Sequence, residues 1–133
     1  MNKMKRVAVL AGTASAVGTL LAAPASAAQE GDPFVCRTGN ICVWQDGNFN
    51  GGMQQFDQLV VLNYYGQFYD NGEHINDTVS SIFNRSSHRI NFYWNAGAHL
   101  GDLCIRVDPG TSIGNLGSYG CDNTLSSHYS ADL

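Results

Sequence analysis

The sequence has no lysine after Lys5. From residue 28 onward its only cations are Arg37, Arg85, Arg89 and Arg106, set against eleven acidic residues, a net charge of −7 over that stretch. Such a surface repels nucleic acid and anionic membranes and attracts cations, so neither nucleic acid nor a membrane is expected as a partner of this part of the chain. Catalytic signatures are missing as well. There is no H-E-x-x-H, no G-x-S-x-G and no phosphate-binding glycine loop. His74, His88, His99 and His128 are scattered and read as surface or hairpin packing, so an enzyme is not expected. The cysteines form no C-x-x-C and have no histidine beside a cysteine pair, which sets a zinc site aside. Past the N-terminal segment no stretch carries a 3.6-residue apolar period of helical length, which excludes a helical bundle.

The N-terminal segment is of a different kind. Lys3, Lys5 and Arg6 precede an apolar, alanine-rich run over residues 7–23, then Pro24 and the small-x-small triplet Ala25-Ser26-Ala27. That order is a secretory signal over 1–27, with cleavage expected after Ala27. The product is expected to be extracellular and monomeric, with a short leader over 28–35 and a single domain over 36–133. Cys36, Cys42, Cys104 and Cys121 all fall in the exported part, and an even count in a small secreted domain reads as two disulfides. Three connectivities are possible. Cys36–Cys42 with Cys104–Cys121 is preferred, because the first pair flanks the natural turn Gly39-Asn40.

What is present is patterned for strands. Ile41-Cys42-Val43-Trp44 and Ile90-Asn91-Phe92-Tyr93-Trp94 are β-rich runs that end in turn clusters. Leu103-Cys104-Ile105-Arg106-Val107-Asp108 alternates, which places Leu103, Ile105 and Val107 inward and Cys104, Arg106 and Asp108 outward, before the turn Pro109-Gly110. The stretch 59–69 fits a strand, a short helix or an aromatic loop. Two patterns recur. Trp44-x4-Phe49-x-Gly51 is answered by Trp94-x4-His99-x-Gly101, and Asn76-Asp77-Thr78-Val79-Ser80-Ser81 by Asp122-Asn123-Thr124-Leu125-Ser126-Ser127. The domain is therefore two units of one plan, about 36–85 and 86–133, and the expected fold is an all-β antiparallel sandwich.

The six-residue motif has two chemical readings. Asn and Asp tolerate left-handed backbone and Ser caps nearby backbone groups, so the motif makes a tight turn. The same residues offer oxygens to a hard cation. Calcium takes about six to eight oxygens, and one copy supplies side-chain donors only at Asn76, Asp77 and Ser80, so two copies brought together make a better site than one.

The aromatic-x4-aromatic-x-Gly hairpin followed by Asn/Asp-Asn/Asp-x-x-Ser-Ser resembles the βγ-crystallin superfamily signature. With the secretion signal and the Cys36–Cys42 opening, the chain looks like the bacterial βγ-crystallin-type peptidase inhibitors over about residues 36–130. The resemblance implies two intertwined Greek keys in a β-sandwich, and a secreted inhibitor of extracellular peptidases, metalloproteinases in the first place. It also implies up to two calcium ions, each drawing a hydroxyl from one motif and carbonyl or carboxylate oxygens from the other. Carried over by position, the ligands are Asn76, Asp77, Thr78 and Ser80 with Asp122, Asn123, Thr124 and Ser126, the two threonines acting through their carbonyls. His99 departs from the pattern where an aromatic is expected. Candidate inhibitory contacts are Cys104, Ile105 and Arg106, where a half-cystine braces an apolar residue and an arginine, although alternation turns Ile105 inward; the stretch 64–69 is a second candidate. Two other functions fit the scaffold: a calcium-binding structural or stress module, and a secreted toxin-like or antimicrobial domain.

Overall fold

The computed structural model describes residues 31–133; the signal with its cleavage point, and the first residues of the leader, lie outside the described residues. Among the described residues eight strands form: β1 (Ile41–Asp46), β2 (Asn50–Phe56), β3 (Val60–Val61), β4 (Ser81–Asn84), β5 (Ile90–Tyr93), β6 (Leu103–Val107), β7 (Ser112–Ile113) and β8 (Ser127–Ser130). They make two four-stranded sheets, ordered β2-β1-β4-β7 and β3-β8-β5-β6. Every pairing is antiparallel, so the expected all-β sandwich is the architecture found. Each sheet takes three strands from one unit and its two-residue edge strand from the other. Val60 and Val61 lie opposite Tyr129 and His128; Ile113 and Ser112 lie opposite Ile82 and Phe83. Neither half completes a sheet alone, which ties the two repeats into one folding unit.

The core lies between the sheets. Ile41, Val43, Ile82, Ile90, Phe92 and Val107 point into it by strand alternation, and Ile75, Val79, Leu116 and Leu125 seal it from the loops. Full burial of such a side chain stabilises by about 1.5–3 kcal/mol. A second cluster, Cys36, Cys42, Trp44, Phe49 and Phe83, covers the outer face of the first sheet. That cover is why Ile41 through Trp44 are all buried instead of alternating. Phe34 stands edge-on to Phe83 at 5.3 Å. The Arg85 guanidinium lies 5.3 Å from the Phe34 ring and 5.7 Å from the Phe83 ring, and donates to the Cys36 carbonyl at 2.7 Å. Asp32 caps the single turn Pro33–Val35 by accepting from the Phe34 N–H. These contacts lay residues 32–35 along the second cluster.

Two local expectations are refined by packing. The stretch 59–69 becomes the short strand β3 followed by an aromatic loop, with Tyr64 and Tyr69 buried and Tyr65 and Phe68 exposed. In β6 Val107 is buried and Arg106 exposed, as alternation requires, but Cys104 is not turned out to solvent. It packs partly buried against the core because its disulfide partner, Cys121, belongs to that core.

Candidate functional site

The two Asn/Asp-Ser-Ser motifs meet face to face. Asp77 and Asn123 adopt left-handed backbone, φ 60° and 56°, which Asn and Asp reach more easily than other side chains. From there each reaches across. The Asp77 N–H donates to the Leu125 carbonyl and the Asn123 N–H to the Val79 carbonyl, both at 3.0 Å. The side chains cross as well: the Ser126 hydroxyl donates to Asp77 Oδ1 at 3.0 Å, and the Ser80 hydroxyl to Asn123 Oδ1 at 3.4 Å. Buried Val79 and Leu125 anchor the turns in the core between them.

The other motif residues support this crossing. Asn76 donates to Asp77 Oδ2 at 3.2 Å and Asn123 to Asp122 Oδ2 at 3.4 Å, so each leading pair is linked internally. Thr78 and Thr124 turn their hydroxyls back into their own turns, to the Ile75 and Cys121 carbonyls, both at 2.9 Å. The Tyr69 hydroxyl meets Thr78 Oγ1 at 3.0 Å, and burial pushes the Tyr69 phenol up to about 12 against the opposing effect of that hydrogen bond. The donor set suits a hard cation: hydroxyl, amide and carboxylate oxygens at the junction of two motifs, one hydroxyl from each. Among the described residues no group of three or more His, Cys, Asp or Glu side chains gathers, so an ion here would depend on main-chain and neutral oxygens. The two halves are unequal, since Asp77 brings a carboxylate where its counterpart Asn123 brings an amide.

The last serine of each motif does a separate job that the sequence reading missed. Ser81 Oγ donates to the Asp46 carbonyl at 2.7 Å and accepts from the Phe49 N–H at 3.0 Å. Ser127 Oγ donates to the Asn95 carbonyl at 2.7 Å and accepts from the Ala98 N–H at 3.2 Å. Each buried serine latches the folded hairpin of its unit. Recurrence of a second serine in both motifs was the available signal.

These latches correct the repeat. The sequence aligned Trp94-x4-His99-x-Gly101 with Trp44-x4-Phe49-x-Gly51, but the structural counterpart of Trp44 is Tyr93. Trp44 pairs with Ser81 and Tyr93 with Ser127. The Ser80 N–H donates to the Trp44 carbonyl and the Ser126 N–H to the Tyr93 carbonyl, both at 2.9 Å. The reason lies at the tip. Both hairpins need two consecutive residues with positive φ, Asn48 and Phe49 in the first, and the one-residue slip puts Gly97 (φ 96°) and Ala98 (φ 54°) there in the second. Glycine reaches that region at no steric cost, so it sets the register. The covering aromatic is thereby lost. Phe49 closes edge-on over Trp44 at 5.2 Å, whereas its counterpart is Ala98; Tyr93 is nonetheless buried, and Trp94, the next residue, is 44% exposed. Trp94 lines a shallow depression with Asp77, Asn123 and Thr124.

The structure pairs Cys36 with Cys42 and Cys104 with Cys121, with Cα separations of 5.8 and 5.9 Å. Of the candidate inhibitory residues, Ile105 packs partly buried against the core and Arg106 Nε donates to Asn91 Oδ1 at 2.8 Å. All three sit on β6, an edge strand of its sheet. In the other candidate stretch, the loop is pinned by hydrogen bonds from Gln67 N to the Tyr64 carbonyl (2.9 Å), Ile75 N to the Gln67 carbonyl (3.1 Å) and Tyr69 N to the Glu73 carbonyl (2.9 Å).

His128, read from the sequence as surface or hairpin packing, is buried in the core. Its Nε2 faces the Gln58 carbonyl at 2.9 Å, so Nε2 carries the proton, and Nδ1 accepts from the Tyr64 hydroxyl at 2.7 Å. Burial lowers its pKa to about 4, against the opposing effect of the Gln58 carbonyl.

The architecture is shared with solved βγ-crystallin structures. A structure from work on the evolution of the eye-lens βγ-crystallin domain fold is 18% identical, with a TM-score of 0.60 over 78% of this chain and 93% of that one. A βγ-crystallin from Ciona intestinalis is 28% identical, with a TM-score of 0.54 over 69% and 99% of the two chains. A βγ-crystallin from an archaeon is 24% identical, with a TM-score of 0.53 over 71% and 99%. No curated protein sequence matches. The family model of Peptidase inhibitor family I36 matches residues 29–102, which takes in the first unit, its disulfide and the second unit as far as the turn before β6. This chain, a βγ-crystallin-like sandwich without catalytic motifs, belongs to Peptidase inhibitor family I36 and is a proteinaceous peptidase inhibitor and not an enzyme.

Proposed function

We propose that the protein is exported, loses residues 1–27, and blocks a secreted metallopeptidase stoichiometrically from outside the cell. Membership of Peptidase inhibitor family I36 over residues 29–102 carries this reading. The build supports it. An inhibitor must present a segment that loses little entropy on docking, and here two disulfides, two serine latches and a hydrogen-bonded loop hold the surface segments in place. Disulfides in a small domain also suit an oxidising, extracellular setting. The test is titration of a thermolysin-like peptidase against the mature protein, with serine and cysteine peptidases alongside. Activity of the metallopeptidase should fall linearly to an end point near equimolar inhibitor. No inhibition of any class at tenfold excess over about 1 µM would reject the reading.

A second reading, calcium binding, is favoured by the crossing of Ser126 onto Asp77 and of Ser80 onto Asn123. Asp77, the Thr78 carbonyl and Ser126 would hold one ion, and Asn123, the Thr124 carbonyl and Ser80 the other, with Asn76 and Asp122 flanking. Bound calcium would neutralise Asp77 and tie one unit to the other. The small number of carboxylates points to affinity of roughly 10⁻⁵ to 10⁻³ M. At a hundredfold excess over the dissociation constant, binding stabilises by about 2.7 kcal/mol, a rise in Tm on the order of 10 °C for a domain of this size. Melts in chelator and in about 10 mM calcium should differ by this rise at a dissociation constant of about 10⁻⁴ M, and by about half of it at about 10⁻³ M. Ser126→Ala should shrink it more than Ser80→Ala, because Ser126 serves the half with the carboxylate. An unchanged melt in the parent would leave the motifs as turns alone.

A further inference from the structure

One residue past buried Tyr93, Trp94 is exposed at the junction of the two Asn/Asp-Ser-Ser motifs. It shares one depression, of about 490 Å³, with Asp77, Asn123 and Thr124. Its backbone is fixed on both sides. The Trp94 N–H donates to the Asp102 carbonyl at 2.9 Å, the Ser126 N–H to the Tyr93 carbonyl at 2.9 Å, and the Ser127 hydroxyl to the Asn95 carbonyl at 2.7 Å. An indole and a carboxylate in one depression attract cations in two ways, through the ring quadrupole and through the full charge.

The carboxylate has no cation of its own. Among the described residues the ion pairs are those of Arg89 with Asp108 and Asp132. Asp77 Oδ1 accepts from Ser126 and Oδ2 from Asn76, both neutral donors, so its charge is uncompensated and each oxygen keeps room for a second hydrogen bond. The other lining side chains have accepting capacity as well. Thr124 Oγ1 donates its proton to the Cys121 carbonyl, which leaves the oxygen free to accept. Asn123 turns its amide nitrogen to Asp122 Oδ2 and takes one bond on Oδ1 from Ser80. The net charge of −7 from residue 28 onward adds a general pull on cations.

The lining selects among cations. A quaternary ammonium has no N–H and is held by a cage of aromatic rings; of the four lining residues only Trp94 is aromatic, and the oxygens would go unused. A lysine ammonium is strongly hydrated. A guanidinium is planar, weakly hydrated, stacks on aromatic faces and carries five N–H donors with no acceptor. Acceptors beside a single ring match it. No cation lines the depression to meet an α-carboxylate, so the fit is to an arginine within a peptide and not to the free amino acid. We propose that the depression between Trp94 and Asp77 binds an arginine side chain presented by a partner protein, with the guanidinium on the Trp94 indole and hydrogen-bonded to the Asp77 carboxylate. The site is independent of peptidase inhibition. It shares Asp77 with the calcium reading, so the test is made in chelator.

The mature protein is titrated with Nα-acetyl-arginine amide, and the indole N–H resonance of Trp94 is followed, with buried Trp44 as the internal control. A saturable shift is expected, with a dissociation constant on the order of 10 mM. The citrulline analogue, of like shape but uncharged, and the lysine analogue should each bind at least about fivefold more weakly. Asp77→Asn keeps an acceptor for Ser126 and a residue suited to left-handed backbone, and should weaken binding about tenfold. Trp94→Ala, read from the Asp77 and Asn123 amide resonances, should weaken it about tenfold with little change in Tm, because Trp94 is exposed. Melts establish that each variant is folded. No saturable change up to about 100 mM, ten times the expected constant, overturns the proposal. So does a citrulline or lysine analogue that binds as tightly as the arginine one, free arginine that binds more tightly than the capped form, or either folded variant with parental affinity.

Discussion

Acidification should destabilise this protein through His128 in particular. His128 is fully buried among aromatic rings, with centroids at 5.2 Å to Phe56 and 5.7 Å to Tyr64 and Phe92. Both ring nitrogens are engaged while the imidazole is neutral: Nε2–H donates to the Gln58 carbonyl and Nδ1 accepts from Tyr64. A second proton on Nδ1 would turn that acceptor into a donor and bury a charge beside the phenol. Accordingly burial holds the pKa at about 4, against 6.5 in the unfolded chain. Between those values the unfolded state binds the proton and the folded state does not, so stability falls as pH falls. The contribution is fully present above pH 6.5 and lost on descending to about pH 4. At about 1.4 kcal/mol per pH unit of displacement, the total is about 3 kcal/mol, a drop in Tm on the order of 10 °C. Thermal melts between pH 7.5 and 4 on the parent and on His128→Gln read this directly. Glutamine keeps a donor for the Gln58 carbonyl and does not titrate. The variant should be less stable at neutral pH and should lose less stability between pH 6.5 and 4 than the parent. Carboxylates common to both proteins cancel in the comparison. Parallel curves for the two proteins would refute the reasoning.

Two further outcomes follow from the hairpins and the disulfides. Ser81→Ala and Ser127→Ala each remove a buried hydroxyl that makes two hydrogen bonds, and each should destabilise by about 1–3 kcal/mol in denaturant melts. Ser127→Ala should in addition raise hydrogen exchange at the Ala98 amide, which loses its acceptor. Replacing both Cys104 and Cys121 by serine opens a closure of 17 residues and should cost about 3 kcal/mol, against about 2 kcal/mol for the 6-residue closure of Cys36 and Cys42. Equal losses in the two double variants would show that loop closure is not what these bonds contribute.

Much of the candidate site was legible because its chemistry is local. A turn that needs left-handed backbone selects Asn or Asp at Asp77 and Asn123, and a capping role selects Ser, so the motif announces itself within six residues and repeats. The strand runs, the Gly39-Asn40 turn inside the first disulfide and the two-unit plan were readable on the same ground. The hairpin register was not. Trp44 and Trp94, Gly51 and Gly101 match by residue type, yet the one-residue slip to Tyr93 is set by where Gly97 falls at the tip and by which amide reaches Ser127.

By itself, then, the sequence determined the class of fold, the turns, the sign of the surface charge and the family signature, all of which depend on near neighbours or on composition. Tertiary structure alone decided which edge strand each unit lends to the other, that Trp94 and Leu100 stand outside, and that His128 sits neutral in the core. Those outcomes depend on residues far apart in the chain. Val61 must pair with His128, and Tyr64 must reach its ring, before burial can act on it.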